Sequence, residues 1–175
     1  MVSVVYSDML RVRIQTEAVV ERAFDVQGRK FIFHDVAGQR DKRQRWVPFV
    51  QHDLSALIFI FSVASYDLLL AEDSTVNRFA DAMTLFDTIM QNSLLNECPT
   101  IVMLNKIDLF TEKIKKIQFS TFVPGYTGKN TGSDVLRYIS DEFTQRNKNP
   151  QREVVIHLTT GTDIKLMTGV IKSVQ

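Results

Sequence analysis

Within five residues, Asp35-Val36-Ala37-Gly38-Gln39 joins a carboxylate, a small flexible pair and a side-chain amide. Asp35 is a hard oxygen donor, suited to Mg²⁺ directly or through water. Gly38 lets the backbone come close to a ligand and offer its N–H to a terminal phosphate. Gln39 carries both a donor and an acceptor, enough to orient an attacking water without acting as a base. The same residues also fit a plain strand-to-helix turn in which Gln39 merely opens a charged helix.

A second cluster, Asn105-Lys106-Ile107-Asp108, begins 70 residues after Asp35. A carboxylate such as Asp108 can accept two parallel hydrogen bonds from guanine N1–H and N2–H₂, a pair that adenine does not offer. The Lys106 stem can lie over a purine face, and Asn105 can tie neighbouring loops together. A solvated loop after a strand would carry the same tetrapeptide. Near the N-terminus, Arg13 offers a planar, permanently charged fork for phosphate oxygens, and Thr16 a hydroxyl for a metal. An Arg and a Thr ahead of a strand carry little meaning alone; their order relative to the other two clusters gives them weight.

These residues need elements to hold them. Residues 18–26 and 30–36 alternate as two strands, with Gly28 between them supplying the positive φ of a short hairpin turn. The charged run 39–47 reads as a short helix interrupted near Pro48. Residues 56–64, ALIFIFSVA, are continuously apolar, as in a strand covered on both faces. Val76, Phe79, Ala80, Met83, Phe86 and Ile89 recur at helical spacing between Thr75 and Met90. A buried strand, TIVMLN, then meets the Asn105 cluster, followed by a short helix over TEKIKKI. TGSDVLRYISDEFTQRN is an amphipathic helix with Val135, Ile139 and Phe143 on one stripe; EVVIHL is a strand and DIKLMTGVIKSV a last helix. Alternating strands and helices predict an α/β class with a largely parallel sheet. Ligands of such sheets bind outside the carboxyl ends of the strands, where both clusters fall.

The bulk properties narrow the function classes. At 175 residues, the length fits one domain. A net charge of +1 gives no reason to expect nucleic acid as a partner. The single cysteine, Cys98, excludes an internal disulfide framework and favours a reducing, intracellular setting. No apolar run is long enough to span a bilayer, and residue 2 is Val rather than the Gly of N-myristoylation.

Together these residues resemble the α subunit of heterotrimeric G proteins. DMLRVRIQT looks like that family's first switch, DVAGQR its second, NKID its guanine motif, and TTGTD (159–163) the later loop at the base. YDLLLAEDSTVNRFADAMTLFDTI is similar to a family stretch that small GTPases lack. The resemblance implies a P-loop GTPase-like, doubly wound sheet with one antiparallel hairpin, otherwise parallel, and a GTPase switching between GDP and GTP with Mg²⁺. Catalysis would fall to Arg13 and Gln39, the metal to Thr16 and Asp35. Nucleotide contacts would come from Leu10, Arg11, Val12, Arg13, Ile14, Gln15 and Thr16, from Asp35 to Gln39, from Asn105, Lys106, Ile107 and Asp108, and from Gly161. Arg40, Arg45 and Trp46 would face a βγ dimer or an effector, with a G-protein-coupled receptor upstream, at the cytoplasmic face of the plasma membrane. Two positions depart from the family pattern. Ala37 stands where Gly is usual, as in Ras-like GTPases, and Thr160-Gly161 stands where Cys-Ala is usual.

A GTP site also needs a G-x-x-x-x-G-K-[ST] cradle. The nearest approach here is VPGYTGKNTG, with Val123 in the first Gly position and Asn130 after Gly128-Lys129. It precedes a helix without following a strand, and reads as a surface loop. The resemblance therefore describes a Ras-like domain over residues 1–175 that lacks its first strand and phosphate loop, is cut at both ends, and has essentially no helical domain. VSVVY (2–6) is a poor substitute for the central strand. An alternative is a non-catalytic module that binds βγ subunits or effectors without switching.

Overall fold

The computed structural model describes residues 19–26, 28–46 and 54–163. The chain divides into two compact units, Met1–Asp53 and Leu54–Gln175. The first switch and VSVVY lie outside the described residues, as does all of the last expected helix beyond Asp163.

In the first unit, β1 (Val20–Val26) and β2 (Arg29–Asp35) pair antiparallel, from Val20 opposite Asp35 to Val26 opposite Arg29. Gly28 adopts φ 78° and donates its N–H to Asp25 Oδ1 at 3.0 Å. A side chain would be strained there, which explains the glycine. One face carries Phe24, Phe31 and Phe33, with Phe24 and Phe33 edge to face at 5.7 Å. After the strand, Arg40–Trp46 winds as a 3-10 helix.

The second unit holds a parallel sheet in the order β3 (Leu57–Ser62), β4 (Thr100–Asn105), β5 (Val154–Leu158). The register sets Ser62 beside Asn105 and Leu104 beside Leu158, so the three strands end at one level. β4 is buried along nearly its whole length, as a central strand of aliphatic residues should be. β3 departs from the expectation of cover on both faces: Phe61 is buried, but Ile60 on the opposite face is 64% exposed. Among the described residues β3 is a terminal strand of this sheet, whereas β4 has a neighbour on each side.

Two helices, α1 (Arg78–Met90) and α3 (Gly132–Arg146), cover one sheet face. Phe59 meets Phe86 at 5.1 Å and Phe143 at 5.7 Å, and Phe61 meets Phe79 at 5.8 Å. Burying each such ring stabilises the fold by about 1.5–3 kcal/mol. The α3 stripe is as expected, with Val135, Ile139 and Phe143 fully buried. α1 starts later than its periodicity suggests, because Asn77 caps it, accepting from the amides of Phe79 at 2.7 Å and Ala80 at 3.3 Å. Ala80 lies on the exposed side. α2 runs Ile107–Lys113, beginning earlier than the expected TEKIKKI helix. Below it, Tyr66 is fully buried and donates its hydroxyl to Ile117 O at 2.8 Å. No helix among the described residues is long and apolar enough to cross a membrane.

Candidate functional site

Parallel register puts the loops after β4 and β5 side by side. Asn105 is the point at which they join. Its Oδ1 accepts from the Lys106 amide at 2.8 Å, the Gly161 amide at 3.0 Å and the Thr159 hydroxyl at 3.3 Å. The Thr159 amide donates to Leu104 O at 2.8 Å, and the Ile107 amide to Thr159 O at 3.3 Å. Thr159 is 1% exposed. Two loops from different strands are thus fixed on one side-chain oxygen.

Lys106 sits at φ 65°, ψ 40°, the only non-glycine with positive φ among the described residues. A left-handed lysine costs about 1 kcal/mol or more, and such strain persists where the surroundings enforce it. It lets α2 begin directly after β4 and sets Asp108 in the first turn of that helix. Asp108 is exposed, and its carboxylate is engaged by no partner among the described residues. An unengaged carboxylate beside two locked loops is what a guanine edge requires. An open recess of about 460 Å³ lies alongside, lined by Ser62, Ser65, Lys106, Lys113 and Lys116 among others, but not by Asp108 or Gly161.

In the first unit, Asp35 ends β2 as an exposed residue. Ala37 is buried, and its carbonyl accepts the Trp46 indole N–H at 2.9 Å. The Gly38 carbonyl accepts Arg43 Nε at 3.2 Å. In a trans peptide the next N–H points opposite to the carbonyl, so both contacts turn the Gly38 and Gln39 amides away from the 3-10 helix. A Cβ at Gly38 would meet nothing within 4 Å, so space is open in front of it. Gln39 Oε1 is buried and accepts no hydrogen bond. An idle buried acceptor costs about 1–3 kcal/mol and marks a place where a water or ligand group fits. Among the described residues no three acidic, His or Cys side chains gather as a metal cluster.

Little local in the sequence marks Arg43, Trp46 and Thr159 as supports of these turns. Trp46, expected at a partner surface, is half-buried, and its indole N–H braces the turn. One signal did exist: a lone Trp closing the charged run RDKRQRW has reason to turn inward. Arg13, Thr16 and the other residues of the 10–16 stretch lie outside the described residues, as does the Arg45 side chain.

The Gly-Lys loop before α3 has a structural role. A Cβ at Gly128 would fall 2.6–2.8 Å from the hydroxyl and ring atoms of Tyr126, which is buried and donates to Lys129 O. Asn130 accepts from the Phe119 amide and donates to Ile114 O. The glycine is thus required by the close approach of the Tyr126 ring.

The sequence profile described as G-protein alpha subunit matches residues 4–175. The Guanine nucleotide-binding protein G(o) subunit alpha of Lymnaea stagnalis is 39% identical over 156 residues, which cover 89% of this chain and 44% of that protein. The protein of the same name from Planorbella trivolvis gives the same values. The chain thus spans less than half the length of these curated relatives. With the profile matched over nearly the whole length, the chain belongs to the G-protein alpha subunit family.

Proposed function

We propose that this chain carries the base-binding and second-switch side of a guanine-nucleotide switch that hydrolyses GTP to GDP. The observation that supports it most is the Asn105 tie, which joins the Asn105–Asp108 turn to the Gly161 turn while leaving the Asp108 carboxylate unengaged. In this reading Asp108 selects guanine, Lys106 covers the purine, and the Gly161 turn closes the far side of the base. Gln39 orients water, Gly38 offers its amide to the γ-phosphate, and Asp35 with Thr16 holds Mg²⁺. Arg13 stabilises charge on the transferred phosphoryl group. The bound metal would supply charge neutralisation on the phosphates. A βγ dimer, an effector and a receptor are the partners of this reading, at the cytoplasmic membrane face. A titration of the chain with fluorescent GTP analogue, with and without Mg²⁺, tests it. Micromolar or tighter, Mg²⁺-dependent binding is expected, and a flat titration refutes it.

A second reading, a module that binds βγ or effectors without switching, is favoured by one observation. The Gly128-Lys129 loop packs on the Tyr126 ring and follows no strand, so it lacks the strand–loop–helix form of a phosphate cradle. Retention of βγ or effector by a chain that gives a flat nucleotide titration would select this reading; retention of neither partner would remove it.

A further inference from the structure

The amino end of α2 is held through backbone groups, the Lys106 amide on Asn105 Oδ1 and the Ile107 amide on Thr159 O. These bonds fix where the helix starts. Its rotation about its own axis is left to contacts further along. At about 100° per residue, Phe110 and Lys113 lie about 60° apart, and each is about 140–160° around the helix from Asp108. They share the face turned away from that carboxylate.

That face is gripped from the segment after β3. Phe110 is fully buried, its ring edge to face with Tyr66 at 6.1 Å. Lys113 Nζ pairs with Asp67 Oδ1 at 2.5 Å, and the two side chains are only 23% and 11% exposed. Tyr66 is itself fixed: its hydroxyl donates to Ile117 O at 2.8 Å, and its carbonyl accepts Asn77 Nδ2 at 2.7 Å from the residue that caps α1. Apolar contact is non-directional, whereas a charge-assisted hydrogen bond fixes an angle.

Resting on the guanine reading above, we propose that Asp67 determines base specificity as a positioning residue: by gripping Lys113 on the far face of α2, it sets the rotation that aims Asp108. Guanine offers a carboxylate both N1–H and N2–H₂, while hypoxanthine offers N1–H alone. Two parallel bonds need the carboxylate close to the plane of the base, and one bond tolerates a tilt. A turned α2 therefore loses the preference for guanine before it loses the nucleotide.

The test uses Asp67→Asn, Lys113→Met and Lys113→Arg in the full 175-residue chain. GDP and inosine diphosphate are each titrated to displace N-methylanthraniloyl-GDP. The unsubstituted chain is expected to prefer GDP by about tenfold or more. Asp67→Asn and Lys113→Met should each cut that preference by about three- to tenfold, less than the hundredfold that an ångström of misplacement can cost. Lys113→Arg keeps the pair and should keep the preference. A merely structural role weakens both nucleotides equally and leaves their ratio intact, and that result overturns the proposal. Loss of preference in Lys113→Arg as complete as in Lys113→Met also overturns it. Should Asp67→Asn fail to fold, the two Lys113 variants decide the matter. If the unsubstituted chain binds no labelled GDP, the guanine reading itself has failed and this inference falls with it, a result distinct from binding with an unaltered ratio.

Discussion

Asn105→Ala should loosen the tip of the parallel sheet without unfolding it. The substitution removes an acceptor shared by three donors. The amides of Lys106 and Gly161 are exposed and can turn to water, so each loss lies near the low end of the 0.5–1.5 kcal/mol usual for a hydrogen bond, about 0.5 kcal/mol. The Thr159 hydroxyl is different. It belongs to a residue only 1% exposed, and its other acceptor, Leu104 O, is 3.5 Å away. Stranding it costs about 1 kcal/mol or more, and the three together come to about 2 kcal/mol. At 1.36 kcal/mol per decade, that is roughly thirtyfold more frequent local opening. Amide exchange at Gly161 and Lys106 reads this directly. Asn105→Asp keeps an oxygen acceptor at the same reach and should retain most of the protection. If Asn105→Ala leaves exchange at Gly161 within about twofold of the unsubstituted chain, or if Asn105→Asp loosens the loops equally, the tie does not act as described.

Arg152 is 3% exposed and donates to Met90 O and Asn96 O, each at 3.0 Å, at the carboxyl end of α1. Burial pushes its guanidinium below the usual range, but two charge-assisted bonds and the helix dipole oppose that. Arg152→Met should therefore destabilise by about 2 kcal/mol and lower the melting midpoint by about 4–8 °C, whereas an unchanged or higher midpoint would show that desolvation dominates. Gly128→Ala should cost about 1–3 kcal/mol from collision with the Tyr126 ring, and the penalty should shrink in a Tyr126→Ala background; equal penalties in urea unfolding would exclude the clash. Burial pushes the Tyr66 hydroxyl up to about 12 from 10.0, with Asp67 adding to the effect. A raised folded-state value means that this stability is complete below pH 10 and is lost as pH rises toward about 12. Melts across that window should show the loss, and Tyr66→Phe should remove that component.

Much of the scaffold was legible because it follows simple periodicities. Gly28 between two alternating runs marked the hairpin, and Val135, Ile139 and Phe143 marked the buried face of α3. The Asn105 cluster was placed at a strand end, where it sits. Harder to read were features in which one residue serves a distant backbone. Nothing local in Lys106 announces a left-handed backbone, so the start of α2 was placed too late. Arg152 stands in a polar NPQRE run with nothing local to mark it as buried, and its partners lie 56 and 62 residues away in sequence. Gly128 resembled half of a phosphate loop because the collision that requires glycine there involves the Tyr126 ring, whose orientation the sequence does not encode locally. For Ile60, continuous apolarity suggested burial on both faces, but a strand at the margin of its sheet can leave one of them open.

The left-handed Lys106 has a consequence for how this position can vary. Asparagine or glycine would make the same bend at lower energy, so backbone geometry alone favours replacing the lysine. This chain carries the long aliphatic arm of lysine there instead, and a β-branched substitute would be disfavoured by both the backbone and the loss of reach. On the guanine reading proposed above, a lineage that no longer needed a ring to lie against that arm would be free to drift to the smaller residues.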